Sequence, residues 1–238
     1  MIGDNFDLDI YDGICKLGIA YDIEFFPPSH LQGPFLYLIR KNEDEGLRLI
    51  QMLTNTAIQR WKEFQQGRYN RLLGKNKTPL PTLINLPSGL QEFWGDEQVY
   101  QWYRPQSIGP NVVRSGLMAL EVWIEEQVEK GRDCNELYSK ILTGSDCVAV
   151  LGICLGVAMA YPEKCLKSAL PLICSPAIWR MDINRYSSDL SVFLVHLFSI
   201  HSVGISISTR RKTNVTRDLN VREIYAILHY SICSVEIV

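Results

Sequence analysis

Fifteen consecutive residues without a charge, "CVAVLGICLGVAMAY" from Cys147 to Tyr161, constrain this chain more than any other stretch. Crossing the hydrocarbon core of a bilayer takes about 20 apolar residues in a helix. Asp146 closes one end of the run and Pro162-Glu163-Lys164 the other, so it is too short to span. A run of this length reads as a central helix wrapped by protein on every face. Gly152 and Gly156 add a G-x-x-x-G spacing, a small surface on which a neighbour can pack closely. Ser145 stands where a helix cap is needed, with Asp146 in a first turn that favours an acid. Gly144 suits the end of the preceding helix.

The flanks read as further helices. "PNVVRSGLMALEVWIEEQVEKG" places Val113, Leu117, Leu120, Ile124 and Val128 on one stripe, widened by Met118, Val122 and Trp123. Gly131 stops it. In "DCNELYSKILTG", Asp133 is the cap and Glu136 its capping-box partner. The spacing predicts helices over 110–130, 133–143, 145–161 and 163–174, with Pro171 kinking or shortening the last. Their short connections imply antiparallel neighbours. "AIWRMDINR" reads as a short helix, and "SSDLSVFLVHLFSI" as a separate apolar one capped by Ser188 or Asp189.

Upstream, "IYDGICKLGIAYDIEF" reads as a glycine-broken helix and "SHLQGPFLYLIRKN" as a short one. "EDEGLRLIQMLTNTAIQRWKEFQQG" is long and amphipathic, with Leu47, Ile50, Leu53, Ala57, Ile58 and Trp61 inward. Composition then shifts to Gly, Pro, Asn and aromatics. A small β-hairpin is expected around 81–104, with Leu83, Ile84 and Leu86 in one strand and Val99, Tyr100, Trp102 and Tyr103 in the other. One more helix is expected at 220–231. The chain thus divides into an N-terminal helical part (1–67), a linker and hairpin (68–109) and a helical-repeat-like part (110–238), which together could form one domain. Helix starts near 110 and 145 are spaced like the pairs of α-solenoids, whose repeats run about 33 to 47 residues. The expected fold is mainly α, an antiparallel helical array of solenoid (HEAT/armadillo-like) character.

Composition excludes several classes. Of 238 residues, 47% are hydrophobic and 21% charged, with a net charge of -2, so the chain has the makings of a globular core. That balance argues against a dedicated nucleic-acid binder, whose affinity comes from neutralising many phosphates. The seven cysteines are irregularly spaced, without C-x-x-C, and several stand among Val, Leu and Ile. They read as reduced, buried small hydrophobes in a cytoplasmic protein. The acidic opening "MIGDNFDLDIYDG" lacks a signal peptide's basic and apolar regions.

The chemical motifs are sparse. "GRYNRLLGKNK" has the outline of a phosphate-binding loop. Gly67 and Gly74 are too far apart for one, however, and Asn76 stands where Ser or Thr must hold magnesium. The four histidines form no H-E-x-x-H or Cys/His cluster, and His196 reads as a core residue. Carboxylates in "NEDEG" and "WIEEQ" read as helix surface. No catalytic, metal or cofactor site is expected. Two basic patches remain: Arg68, Arg71, Lys75 and Lys77, with Trp94, Trp102, Tyr103 and Arg104 close by, and Arg210, Arg211, Lys212, Arg217 and Arg222. Cations interleaved with aromatics can grip single-stranded nucleic acid, whereas aromatics beside a hairpin are more often packing.

The segments "SGLMALEVW", "ILTGSDCVAVLG" and "LPLICSPAIWRMD" carry a resemblance over roughly residues 90–185. This part of the chain resembles helical regions of large bacterial multidomain proteins that hold a P-loop NTPase module elsewhere, some linked to antiphage defence. The resemblance implies a regulatory or sensing region with no nucleotide site of its own. The expected function is therefore a non-catalytic scaffold that binds a protein partner or other domains of a larger chain. Nucleic-acid binding through 68–104 is the alternative, and no membrane contact is expected.

Overall fold

The computed structural model describes residues 25–73 and 79–203. The glycine-broken helix expected near the start and the one at 220–231 fall outside the described residues. The element order is α1 (Phe35–Lys41), α2 (Glu43–Leu73), β1 (Thr82–Leu86), β2 (Gly89–Phe93), α3 (Glu97–Tyr100), α4 (Asn111–Glu129), α5 (Cys134–Leu142), α6 (Val148–Ala160), α7 (Pro162–Cys165), α8 (Leu170–Ile173) and α9 (Pro176–Val203). The fold is mostly helical, with one two-stranded antiparallel sheet. Among the described residues no helix is long and apolar enough to cross a membrane.

Helix α6 is the centre. Ten of its residues are buried, including Val148, Leu151, Ile153, Cys154 and Val157. It packs against α3, α4 and α5. A helix apolar all round needs partners on several sides, and each fully buried Val, Leu or Ile side chain contributes about 1.5–3 kcal/mol. The α4 stripe supplies one such partner: Val113, Leu117, Leu120, Ile124 and Val128 are all buried. On α2, Leu47, Ile50, Ala57, Ile58 and Trp61 are buried as their spacing requires, while Leu53 is half-buried.

The glycine pair of α6 is not symmetrical. A Cβ on Gly152 would lie 2.7 Å from Tyr103 Cε1 and 3.0 Å from Tyr100 Cζ, whereas one on Gly156 would meet nothing within 4 Å. The close approach is therefore to two tyrosines and uses one glycine. Both rings are sealed, Tyr100 at 0% and Tyr103 at 1% exposure. They pack edge to face with centroids 6.4 Å apart.

Asp133 caps α5 as expected, accepting from the Asn135 N–H at 2.9 Å. Glu136 instead pairs with Arg132 at 3.0 Å. Gly131 and Gly144 end their helices at φ +83° and +81°, the left-handed region that L side chains avoid. The expected cap of α6 is displaced. Ser145 Oγ donates backward to Ile141 O at 2.8 Å, and Cys147 is the residue before the helix. The cause is tertiary: Trp94 and Cys147 form a β-bridge, with Trp94 N donating to Asp146 O at 2.6 Å and Val148 N to Trp94 O at 3.1 Å. That pairing holds Cys147 extended and starts α6 later than expected.

Side-chain amides secure the same loop. Gln51 Nε2 donates to Ile141 O (3.2 Å) and Thr143 O (3.0 Å), Asn55 Nδ2 to Gly144 O (2.7 Å), and Gln91 Nε2 to Leu142 O (2.8 Å) and Ser145 O (2.9 Å). The last carbonyls of a helix have no partner within it, and three amides from α2 and β2 satisfy them here.

Three further expectations change. The second strand is Gly89–Phe93, not the segment containing Val99 to Tyr103, because Pro87-Ser88 makes a two-residue turn that pairs Leu86 with Gly89. Val99 and Tyr100 belong instead to the short α3. The helix expected over 163–174 is two one-turn pieces, α7 and α8, with Pro171 in the first turn of the second. Helix α2 runs on to Leu73, so the first six residues of the expected linker are helical.

The chain clusters into two units, one running to Asp182 and the other beginning at Ile183. In the second, no helix starts at Ser188 or Asp189, since α9 is continuous through both. Ser187 Oγ donates to Ile183 O and Ser188 Oγ to Asn184 O, each at 3.0 Å. Serines that bond back one turn are accommodated inside a helix and do not cap it. Asp189 is paired with Arg185 at 2.8 Å, one turn earlier, with both side chains buried.

Gly152→Ala should destabilise the chain by about 1–3 kcal/mol through overpacking against the tyrosines. Gly156→Ala should be neutral or stabilising by up to about 1 kcal/mol through helix propensity. Thermal unfolding of the two variants side by side checks the asymmetry.

Candidate functional site around the hairpin

The hairpin has a packed face and an open one. Its register pairs Thr82 with Phe93, Leu83 with Glu92, Ile84 with Gln91, Asn85 with Leu90 and Leu86 with Gly89. Side chains alternate across a strand, so Ile84, Leu86 and Phe93 point together into the core, at 1%, 9% and 0% exposure. The opposite face carries Leu83, Asn85, Leu90 and Glu92. Leu83 is 53% exposed and Leu90 68%. Leu80, just before β1, is 85% exposed.

Beside the hairpin lies a cavity of about 360 Å³ lined by residues that include Trp61, Gln65, Thr82, Asp96, Glu97 and Arg180. Arg180 Nε and Glu97 Oε1 form an ion pair there at 3.1 Å. Asp96 caps α3, its carboxylate accepting from the N–H groups of Gln98 (3.1 Å) and Val99 (3.0 Å). Burial raises the Asp96 carboxyl above its ordinary range; the two backbone donors oppose the shift without cancelling it. The sequence signal for this cap is "GDEQV", an acid directly before a helical turn.

The candidate nucleic-acid contacts divide. Arg68 and Arg71 lie on α2 and their side chains fall outside the described residues, as do Lys75 and Lys77 entirely. The second basic patch, Arg210, Arg211, Lys212, Arg217 and Arg222, also falls outside them. Trp94 is half-buried, with the Lys62 ammonium 3.7 Å from the centre of its ring. Burial pushes the Lys62 amine below its ordinary value, against the pull of Asp146 and Glu92. Trp102 is 3% exposed and its Nε1–H donates to Ile108 O at 3.1 Å. Tyr103 packs against Gly152, and Arg104 approaches Glu121 at 3.9 Å. Buried rings have no face on which a base could stack.

Polar groups near this region serve the fold. Tyr100 donates its hydroxyl to the buried Asp182 carboxylate at 3.2 Å. Arg114, also buried, donates to Asn111 Oδ1 at 3.1 Å and to Pro105 O, tying the 105–110 segment to α4. The acids of "NEDEG" and "WIEEQ" are likewise engaged. Glu43 pairs with Arg132 (2.7 Å) and Lys140 (2.6 Å), Asp44 with Lys140 (2.7 Å), and Glu126 with Arg40. Hydrogen bonding from Arg132 holds the Glu43 carboxyl below its usual range, and Arg40 does the same for Glu126. Carboxylates held charged by guanidinium groups are staples between helices, poorly suited to carrying protons in catalysis. The segment 67–73 is helical, so no phosphate-binding loop forms there.

No protein-family model matches the chain, and no curated protein matches it.

Asp96→Asn should keep the cap while removing a poorly solvated charge, and so should be neutral or mildly stabilising at pH 7. Asp96→Ala should cost about 1 kcal/mol. Because the folded carboxyl is raised above 3.8, its unfavourable charge fades as it protonates. The difference between wild type and Asp96→Asn should therefore shrink as pH falls from 7 through the raised value. Urea unfolding across that range measures it.

Proposed function

We propose that this chain is a non-catalytic, solenoid-like helical module that works by docking another protein, or another domain of a larger chain, on the open face of its hairpin. The supporting observation is the placement of Leu83 and Leu90. They are diagonal neighbours on one face of a two-stranded sheet whose other face is anchored in the core, and both are more than half exposed. Removing such side chains from water on docking is worth up to about 1.5–3 kcal/mol each. A rigid hairpin pays little conformational entropy to present these groups, which favours it as an anchor for a partner's apolar segment. The burial of Trp102 and Tyr103 leaves the competing nucleic-acid reading without two of its stacking platforms.

Leu83→Thr/Leu90→Thr tests this reading, since Thr suits a strand and both sites are exposed, so stability should change by less than about 1 kcal/mol. Quantitative affinity capture from host lysate, with both chains as bait, should show a specific protein reduced at least tenfold on the variant. Equal capture by the two baits overturns the docking face. A shift of single-stranded or duplex oligonucleotide at low salt would transfer the role to nucleic acid.

A further inference from the structure

Two thiols meet between α5 and α7. Cys134 is the first residue of α5, directly after the Asp133 cap, and Cys165 is the last residue of α7. They are 31 residues apart in the chain, yet their sulfur atoms are 2.6 Å apart in hydrogen-bond contact. Both are sealed, at 3% and 0% exposure. Tyr138, one turn along α5, donates its hydroxyl to Cys154 O at 2.7 Å and also lies in hydrogen-bond contact with Cys165. Cys147 and Cys154 are also buried, Cys154 close enough to Cys165 to feel its charge, and Cys174 is exposed.

We propose that Cys134 and Cys165 are an oxidisable pair that closes into an intrachain disulfide when a small peroxide reaches it. The burial selects the oxidant: a bulky disulfide cannot reach sulfurs this enclosed, whereas hydrogen peroxide is close to water in size. Cys134, the slightly more exposed of the two, reacts first, its sulfur attacking the peroxide. Its sulfur takes one peroxide oxygen, the O–O bond breaks, and one water leaves, giving a sulfenic acid. The Cys165 sulfur then attacks the sulfenic sulfur. The S–S bond forms, the S–O bond breaks, and the Cys165 proton leaves with the hydroxide as a second water. Two thiols are oxidised by two electrons and one peroxide is reduced to two waters. Burial pushes the Cys165 thiol up to about 12, which makes it a poor nucleophile toward free peroxide; its attack on the sulfenic sulfur is favoured by contact, the two sulfurs already lying together. The closed loop contains α5 and α6, so the bond constrains the unfolded chain across the central helix.

The full chain is treated with hydrogen peroxide, unfolded, alkylated and digested with trypsin, which cuts after Lys140 and Lys164 and so separates Cys134, Cys154 and Cys165. The expected product joins the Cys134 peptide to the Cys165 peptide, lighter by two hydrogens than their sum. Tm should rise by about 5–10 °C and return on adding dithiothreitol. Cys165→Ser should lose both effects, and Cys174→Ser should keep both. Finding Cys134 and Cys165 alkylated after peroxide, or joined to other cysteines, overturns the proposal. So does a Tm rise that survives in Cys165→Ser. The peptide map of the unmutated chain decides the matter even if a variant fails to fold.

Discussion

The approach of Tyr100 and Tyr103 to Gly152 is the contact on which the rest of this fold depends. An uncharged helix must be covered over most of its surface, and aromatic rings cover area efficiently if the backbone lets them in. Gly152 lets them in. Its missing side chain is what allows the residues after the hairpin to lie directly on α6, with Tyr103 Cε1 within 2.7 Å of where a Cβ would stand. That places α3 directly against the central helix.

A second constraint is the supply of hydrogen bonds to the backbone where one helix ends and the next begins. The loop between α5 and α6 ends one helix and begins another with no residue to spare. Gln51, Asn55 and Gln91 satisfy its carbonyls from two other elements. Those on the buried Ile141, Leu142 and Ser145 would cost about 1–3 kcal/mol each if left unpaired, comparable to losing a core methyl group or two. Amides do this work without charge. Ion pairs secure outer joints as well, where Glu43 links α2 to Arg132 and Lys140.

These two devices account for most of the polar and aromatic residues that could otherwise be taken for a site. Tyr100, Trp102 and Tyr103 are core, Arg114 and Asp182 satisfy buried neighbours, and the acidic clusters are staples. Among the described residues, Leu83 and Leu90 of the open hairpin face are apolar groups that the fold leaves in water. A surface of that kind suits docking, which is why the functional reading rests there.

Periodicity alone was enough to locate α4, α5 and α6, because a 3.6-residue stripe and its capping residues are properties of adjacent positions. The inward face of α2, the Asp133 cap and the glycine stops were legible for the same reason. Helix ends set by distant partners were not. Ser145 satisfies every local rule for a cap, yet the bridge from Trp94 to Cys147 takes the backbone it would need. Val99 to Tyr103 has strand composition, but the Asp96 cap and the surface of α6 make it the end of a short helix followed by a turn. Ser188 looks like a start and lies inside a helix. The division is physical: turns, caps and amphipathic stripes are decided within a few residues of chain. Which glycine receives a ring, which amide reaches a loop and which face of a hairpin stays open depend on groups some 50 or more residues apart, and only packing brings them together.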